Sequence, residues 1–129
     1  MEYVAEREVA HDIIKQACQD YVEFQLLSMG IVRDFKKGTG EVTYTKKVLN
    51  LKKADDKKIM KKLRNEILDL LSFFRSEYFE NLADYSGFDG DRIITRLNML
   101  VRKYVDEFKE AMKKEDEQKI AERNKKDAA

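Results

Sequence analysis

IMKKLRNEILDLLSFFRSEYFENLADYSGFDGDRIITRLNMLVRKY, residues 59–104, decides the fold. Leu63, Ile67, Leu70, Leu71 and Phe74 recur at steps of three and four, which sets them on one face of a helix. Further on, Ile93, Ile94, Leu97, Leu100, Val101, Tyr104, Val105 and Phe108 repeat that spacing. Between the two stripes, Ser76 is placed to cap a short helix, Glu77 to Ala83, that carries Tyr78, Phe79 and Leu82. The stretch DYSGFDGD supplies the break: Gly87 and Gly90 tolerate positive φ, and Asp89 or Asp91 can cap the last helix. Apolar stripes of this kind are buried only against each other or against a third helix.

The third helix is expected over residues 3–29, where Ala10, Ile13, Ile14, Ala17, Tyr21, Phe24 and Leu27 trace a stripe and Gly30 is placed as a left-handed cap. Residues 31–53, IVRDFKKGTGEVTYTKKVLNLKK, interrupt the helical period. β-prone runs on either side of Lys-Lys-Gly-Thr-Gly predict a hairpin across 31–36 and 41–46. Two strands are marginal alone, so the hairpin must lean on the helices. The next helix is expected from Ala54 or Asp55, with Asp55 and Asp56 as cap and first-turn acids, to about Arg75. Beyond Met112, KKEDEQKIAERNKKDAA loses the stripe and is expected to project and fray. The predicted architecture is all-α or mainly α: a small helical bundle of three long helices and one short helix, with a β-hairpin at about 31–46. Residues 1–112 form a single domain with a basic insert, 31–53, and 113–129 a charged tail.

Composition agrees. Of 129 residues, 43% are hydrophobic and 40% charged, with no Pro and no Trp, as in a helical protein with a charged surface. The single cysteine, Cys18, excludes an internal disulfide. MEYVAEREVAHD is acidic where a signal peptide is basic and then apolar, and no apolar run approaches the roughly 20 residues that span a bilayer. The expectation is a soluble, cytoplasmic protein of a bacterial cell with no membrane partner. Charge is unevenly spread: residues 1–32 have a net charge of −4, residues 33–64 of +8, and residues 65–129 of −3. A basic middle between acidic flanks implies an anionic partner, either nucleic acid or an acidic protein surface.

Reactive chemistry is sparse. One His and one Cys cannot build the usual metal sets. His11 and Cys18, seven residues apart on one helix, read as a solvated imidazole and a small core residue. No glycine loop followed by Lys-Ser/Thr and no Gly-x-Ser-x-Gly occurs. Glu77, Glu80, Asp84, Asp89 and Asp91 read as caps and a wet helix face. The expectation is a protein that is not an enzyme and uses no metal or cofactor.

Binding is the remaining class. Lys36, Lys37, Tyr44, Lys46 and Lys47 in the insert are candidate partner contacts. Phe73, Phe74, Tyr78, Phe79, Tyr85 and Phe88 put six rings into sixteen residues, more than a small bundle readily hides. Tyr85 and Phe88, in the turn, are therefore candidate exposed anchors for a partner or a second copy in a homodimer. As an alternative, residues 77–98 partly match a helix-turn-helix, with Leu82, Ala83, Gly87 and Ile93 at its structural positions. Arg92 and Arg96 would then reach bases, and Lys52 and Lys53 phosphates.

Within residues 73–98, Phe73, Phe74, Arg75, Ser76, Tyr78, Phe79 and Leu82, followed by Asp89, Gly90, Ile93, Ile94 and Leu97, resemble the shared pattern of small proteins encoded in prophages of Gram-positive bacteria. QACQDYVEFQLL, residues 16–27, is similar to their first helix. Ser86, Gly87 and Phe88 lengthen the turn relative to that pattern, and 31–53 looks like an insertion. The resemblance covers about half the chain. It implies a phage origin and an accessory role, and carries over no catalytic residue. The reading that follows is a phage or prophage accessory protein that binds a host macromolecule, in its specific form an anti-CRISPR-like inhibitor of a host defence nuclease. A DNA-binding regulator is the alternative.

Overall fold

The computed structural model describes the backbone of residues 2–127 and the side chains of residues 6–127. Helix α1 spans Glu2–Ser28, strands β1 and β2 span Ile31–Phe35 and Val42–Lys46, and helices α2, α3 and α4 span Ala54–Phe74, Glu77–Ser86 and Ile93–Asp127. The chain is thus a mainly helical small bundle with a two-stranded antiparallel hairpin.

Helix α1 is the pole on which α2, α3, α4 and β1 all pack. Its buried side is Ala10, Ile14, Ala17, Tyr21, Val22 and Leu26. The stripe read from spacing is therefore rotated: Ile13 is exposed, and Val22 and Leu26 lie deeper than Phe24 and Leu27. Contacts with β1, α2, α3 and α4 together widen the buried arc. At its centre the Tyr21, Phe74 and Phe79 rings meet edge to face, Tyr21–Phe74 at 5.9 Å and Phe74–Phe79 at 5.3 Å between centroids. Each such contact adds about 1 kcal/mol beyond the burial of the rings themselves. The Tyr21 hydroxyl donates to Asn98 Oδ1 at 2.6 Å and so ties α4 to the pole.

Ser76 caps α3 as expected, its Oγ accepting from the Phe79 N–H at 3.1 Å. The helix runs past Ala83 to Ser86 because it ends in a Schellman motif. Gly87, at φ 74°, lets the Phe88 N–H reach the Ala83 carbonyl at 2.9 Å and its own N–H reach that of Asp84 at 3.3 Å. Gly90 is not left-handed, contrary to expectation; Arg92 is, at φ 56°. What Gly90 supplies is room, since a Cβ there would lie 3.0 Å from Phe79 Cε1 and 3.3 Å from Ala83 Cβ. Asp89 accepts from the Asp91 N–H at 3.0 Å, inside the turn, instead of capping α4.

The lead-in to α2 also differs from expectation. Asp55 does not cap; the N-cap position is Lys53, with no side-chain cap bond. Asp56 instead reaches back to the Asn50 N–H at 2.8 Å, and Asn50 Oδ1 accepts from the Lys52 N–H at 3.0 Å. Helix α4 continues unbroken to Asp127, and its side chains beyond Met112 are exposed. No described helix is long and apolar enough to cross a membrane.

Candidate interaction surface

The hairpin stands at the C-terminal end of α1, and Gly30 sets it there. At φ 78° it turns the chain back in a conformation that residues with a Cβ rarely adopt. Its carbonyl accepts from the Lys47 N–H at 2.7 Å, and a Cβ on it would come within 2.8 Å of the Lys47 carbonyl oxygen. The register then pairs Ile31 with Lys46, Arg33 with Tyr44 and Phe35 with Val42. Arg33 and Tyr44 bind the sheet to α4. The Arg33 guanidinium lies 4.0 Å from the centre of the Tyr104 ring, and its Nε donates to the Tyr44 hydroxyl at 3.3 Å. That hydroxyl donates in turn to Glu107, and the Tyr44 ring meets Phe108 edge-on at 6.3 Å. Burial, then the bond to Glu107, pushes the Tyr44 hydroxyl above the usual tyrosine range, against a smaller opposing pull from Arg33. Tyr44, a candidate partner contact from sequence, is thus half-buried and holds the hairpin in place.

The lysines are free. Lys36, Lys37, Lys46, Lys47, Lys52 and Lys53 are all exposed, and among the described residues none forms an ion pair. Lys46 and Lys47 line an apolar pit that sequence reading passed over, and Lys52 and Lys53 follow its Leu51 in the chain. Met29, Val48 and Leu51, 54%, 74% and 52% exposed, stand at its mouth, with Leu27, Met60 and Phe108 beneath, around about 230 Å³. The signal was present in KKVLNLKK, residues 46–53: three aliphatic residues between two lysine pairs, in a stretch with no regular structure to bury them.

Tyr85 and Phe88 do not join this face. The Tyr85 hydroxyl donates to Glu6 at 2.9 Å, which raises its pKa, and Arg7 lies against Gly87. The turn after α3 is therefore at the N-terminal end of α1, about 35 Å along the helix from Gly30 at 1.5 Å per residue. The partner contacts read from sequence divide between opposite ends of the molecule. Phe88 is also no exposed anchor. It follows the left-handed glycine, where a Schellman motif folds an apolar side chain back on its helix, and it packs against the core. Tyr85 is 41% exposed.

Residues 77–98 lack the helix pairing that a helix-turn-helix requires. Six residues, 87–92, separate α3 from α4, and α3 packs on α1 and α2 rather than along α4. Arg96 is held to the turn, 3.2 Å from Asp89 Oδ2 and donating to the Asp91 carbonyl. Arg92 is exposed.

A groove of about 460 Å³ runs between α1, β1 and α4, and the Cys18 thiol lines it, with burial raising its pKa. His11 is exposed and contributes nothing to this groove. Glu80, Asp84, Asp89 and Asp91 rim a shallow dish of about 340 Å³ beside α3, while Glu77 stays outside it. Among the described residues no three His, Cys, Asp or Glu side chains are placed to hold a metal ion. No family model, curated protein or solved structure matches the sequence.

Proposed function

We propose that this protein is a non-enzymatic binding module that docks on an acidic, partly apolar protein surface through its hairpin end. The observation that carries the reading is the combination there: Met29, Val48 and Leu51 exposed beside unpaired lysines. A phosphate backbone attracts lysines but offers no apolar surface to aliphatic side chains. A protein interface uses both, apolar contact for affinity and charge for orientation and on-rate. Joined to the prophage-like pattern of residues 73–98, the reading becomes a phage or prophage accessory protein acting on a host protein. Inhibition of a host defence nuclease, in the anti-CRISPR manner, is its most specific form.

The test is affinity capture from a bacterial host lysate, with and without nuclease treatment. Recovery of a protein that survives nuclease treatment supports the reading; recovery that nuclease abolishes refutes it. The net charge of +8 over residues 33–64 favours a second reading, nucleic-acid binding. A salt titration separates the two. Phosphate contacts weaken steeply with salt, roughly in proportion to the number of phosphates neutralised, whereas an apolar interface weakens little.

A further inference from the structure

The hairpin's ladder determines which backbone groups it leaves over. The Lys47 N–H donates to Gly30 and the Lys36 N–H donates to Glu41 at 2.9 Å. Bonded and non-bonded positions alternate along an antiparallel pair. Val32 and Asp34 therefore bond to Thr45 and Thr43, while the N–H and C=O groups of Ile31, Arg33 and Phe35 point away from β2. Among the described residues no hydrogen bond engages those groups. All five residues of β1 and none of β2 line the 460 Å³ groove, together with Val22, Leu26, Leu97, Leu100 and Tyr104. Ile31 is buried in the core, so the groups open to a partner are those of Arg33 and Phe35. Phe35, 59% exposed, stands at the groove's open end. Soluble proteins usually blunt such an edge with a proline, a bulge or charged side chains. IVRDF has no proline or bulge; of its two charges, Arg33 is folded down on Tyr104 and Asp34 is exposed.

We propose that the outer end of β1 is a docking edge: an extended segment of a protein partner adds beside Arg33–Phe35 as a third strand. Its alternate apolar side chains enter the groove, and acidic residues at one end meet Lys36 and Lys37. The inference rests on the reading of the chain as a protein-binding module and names how that module grips. Strand addition satisfies the free backbone groups, and the groove selects the side chains. Charge selects the occupant. The hairpin carries Arg33, Lys36, Lys37, Lys46 and Lys47 against Asp34 and Glu41, so pairing with a second copy would bring two basic hairpins together. An acidic segment is attracted instead. Glu23 and Asp34 also line the groove and confine the partner's acidic residues to the lysine end. The outer edge of β2 faces mainly charged side chains of α4, among them Lys109, Lys113, Glu115 and Asp116, and is the internal control.

Short random peptides displayed on phage, selected against the immobilised full chain, test the proposal. Enriched peptides alternate apolar residues and end in Asp or Glu. When a synthetic copy is bound to isotope-labelled protein, the amides of Arg33 and Phe35 gain protection from exchange and those of Val42, Tyr44 and Lys46 do not. Phe35→Pro removes an N–H that β2 never uses, on an edge where proline is tolerated. Phe35→Ala removes the ring alone. The proline variant binds the selected peptide about tenfold more weakly than the alanine variant, the worth of one strong backbone hydrogen bond. Enrichment without alternation, protection elsewhere, or equal binding by the two variants overturns the proposal. Self-association of the free chain that protects the same amides also overturns it, by giving the edge to a second copy. Capture of a nuclease-resistant partner by Phe35→Pro at wild-type yield would sink the docking edge and leave the lysine-bearing face standing.

Discussion

Gly30→Ala and Gly40→Ala test whether Gly30 is what places the hairpin. Both glycines are left-handed, at φ 78° and φ 69°. A side chain at either position carries the same conformational cost, about 1 kcal/mol. They differ in surroundings. A Cβ at position 40 meets nothing within 4 Å, whereas at position 30 it lies 2.8 Å from the Lys47 carbonyl oxygen, part of the backbone. Relief at position 30 requires the strand to move, which stretches the 2.7 Å bond from the Lys47 N–H to Gly30. The overpacking adds about 1–3 kcal/mol. Gly30→Ala should therefore lose about 2–4 kcal/mol and Gly40→Ala about 1 kcal/mol. Urea unfolding followed by circular dichroism reads both, with the slope unchanged if only stability moves. In Gly30→Ala the amides of residues 31–46 should also exchange faster than those of α1. Equal losses for the two variants would refute the argument, because the shared φ would then be the whole effect.

Tyr44→Phe should cost about 1 kcal/mol through its bonds to Arg33 and Glu107. It should also remove a pH dependence. The folded Tyr44 hydroxyl ionises above its unfolded value, so its contribution is complete below a pH of about 10 and fades as pH rises through the folded pKa. Urea midpoints measured from neutral to strongly alkaline pH in both proteins check this, with the wild type showing the steeper alkaline loss. Cys18, its pKa raised by burial, should react with a soluble disulfide reagent more slowly at mildly alkaline pH than a free thiol does, and at the free-thiol rate in urea. Replacing Lys46, Lys47, Lys52 and Lys53 together by Glu should reduce capture of the host partner by tenfold or more, about 1.4 kcal/mol or above. Tyr85→Ala, at the other end of α1, should leave capture unchanged.

Helix existence was legible because it depends on local period: the stripes through Leu63 to Phe74 and Ile93 to Phe108 keep their spacing whatever they pack against. The hairpin was legible for a similar reason, since Gly30 and β-prone runs around Lys-Lys-Gly-Thr-Gly are local signals. What failed depended on neighbours. Ile13 and Val22 fall at the margins of the α1 stripe, and only the elements packed on α1 decide which is covered. Gly90 looked like a turn glycine, yet its reason for being glycine is the Phe79 ring. Phe88 read as exposed because it sits in a turn, and a six-residue bonding pattern turns it inward.

The candidate partner contacts lie at two ends of the molecule for a reason of topology. Residues near in sequence can be far apart once helices intervene, and helix length sets by how much. Lys53 and Tyr85 are joined by α2 and α3, which together carry the chain along α1, from Met60 beside Met29, past Phe74 on Tyr21, to Tyr85 on Glu6. A partner of ordinary size covers about 800 Å², roughly a disc 32 Å across, so it can centre on only one of these ends. Unpaired lysines, exposed aliphatics and the open edge of β1 all belong to the hairpin end. At the other end Tyr85, Phe88 and Arg96 already bond or pack within the chain. Groups already engaged in the free protein gain less from a partner than groups that are not, which is why the proposed docking is placed at the hairpin end.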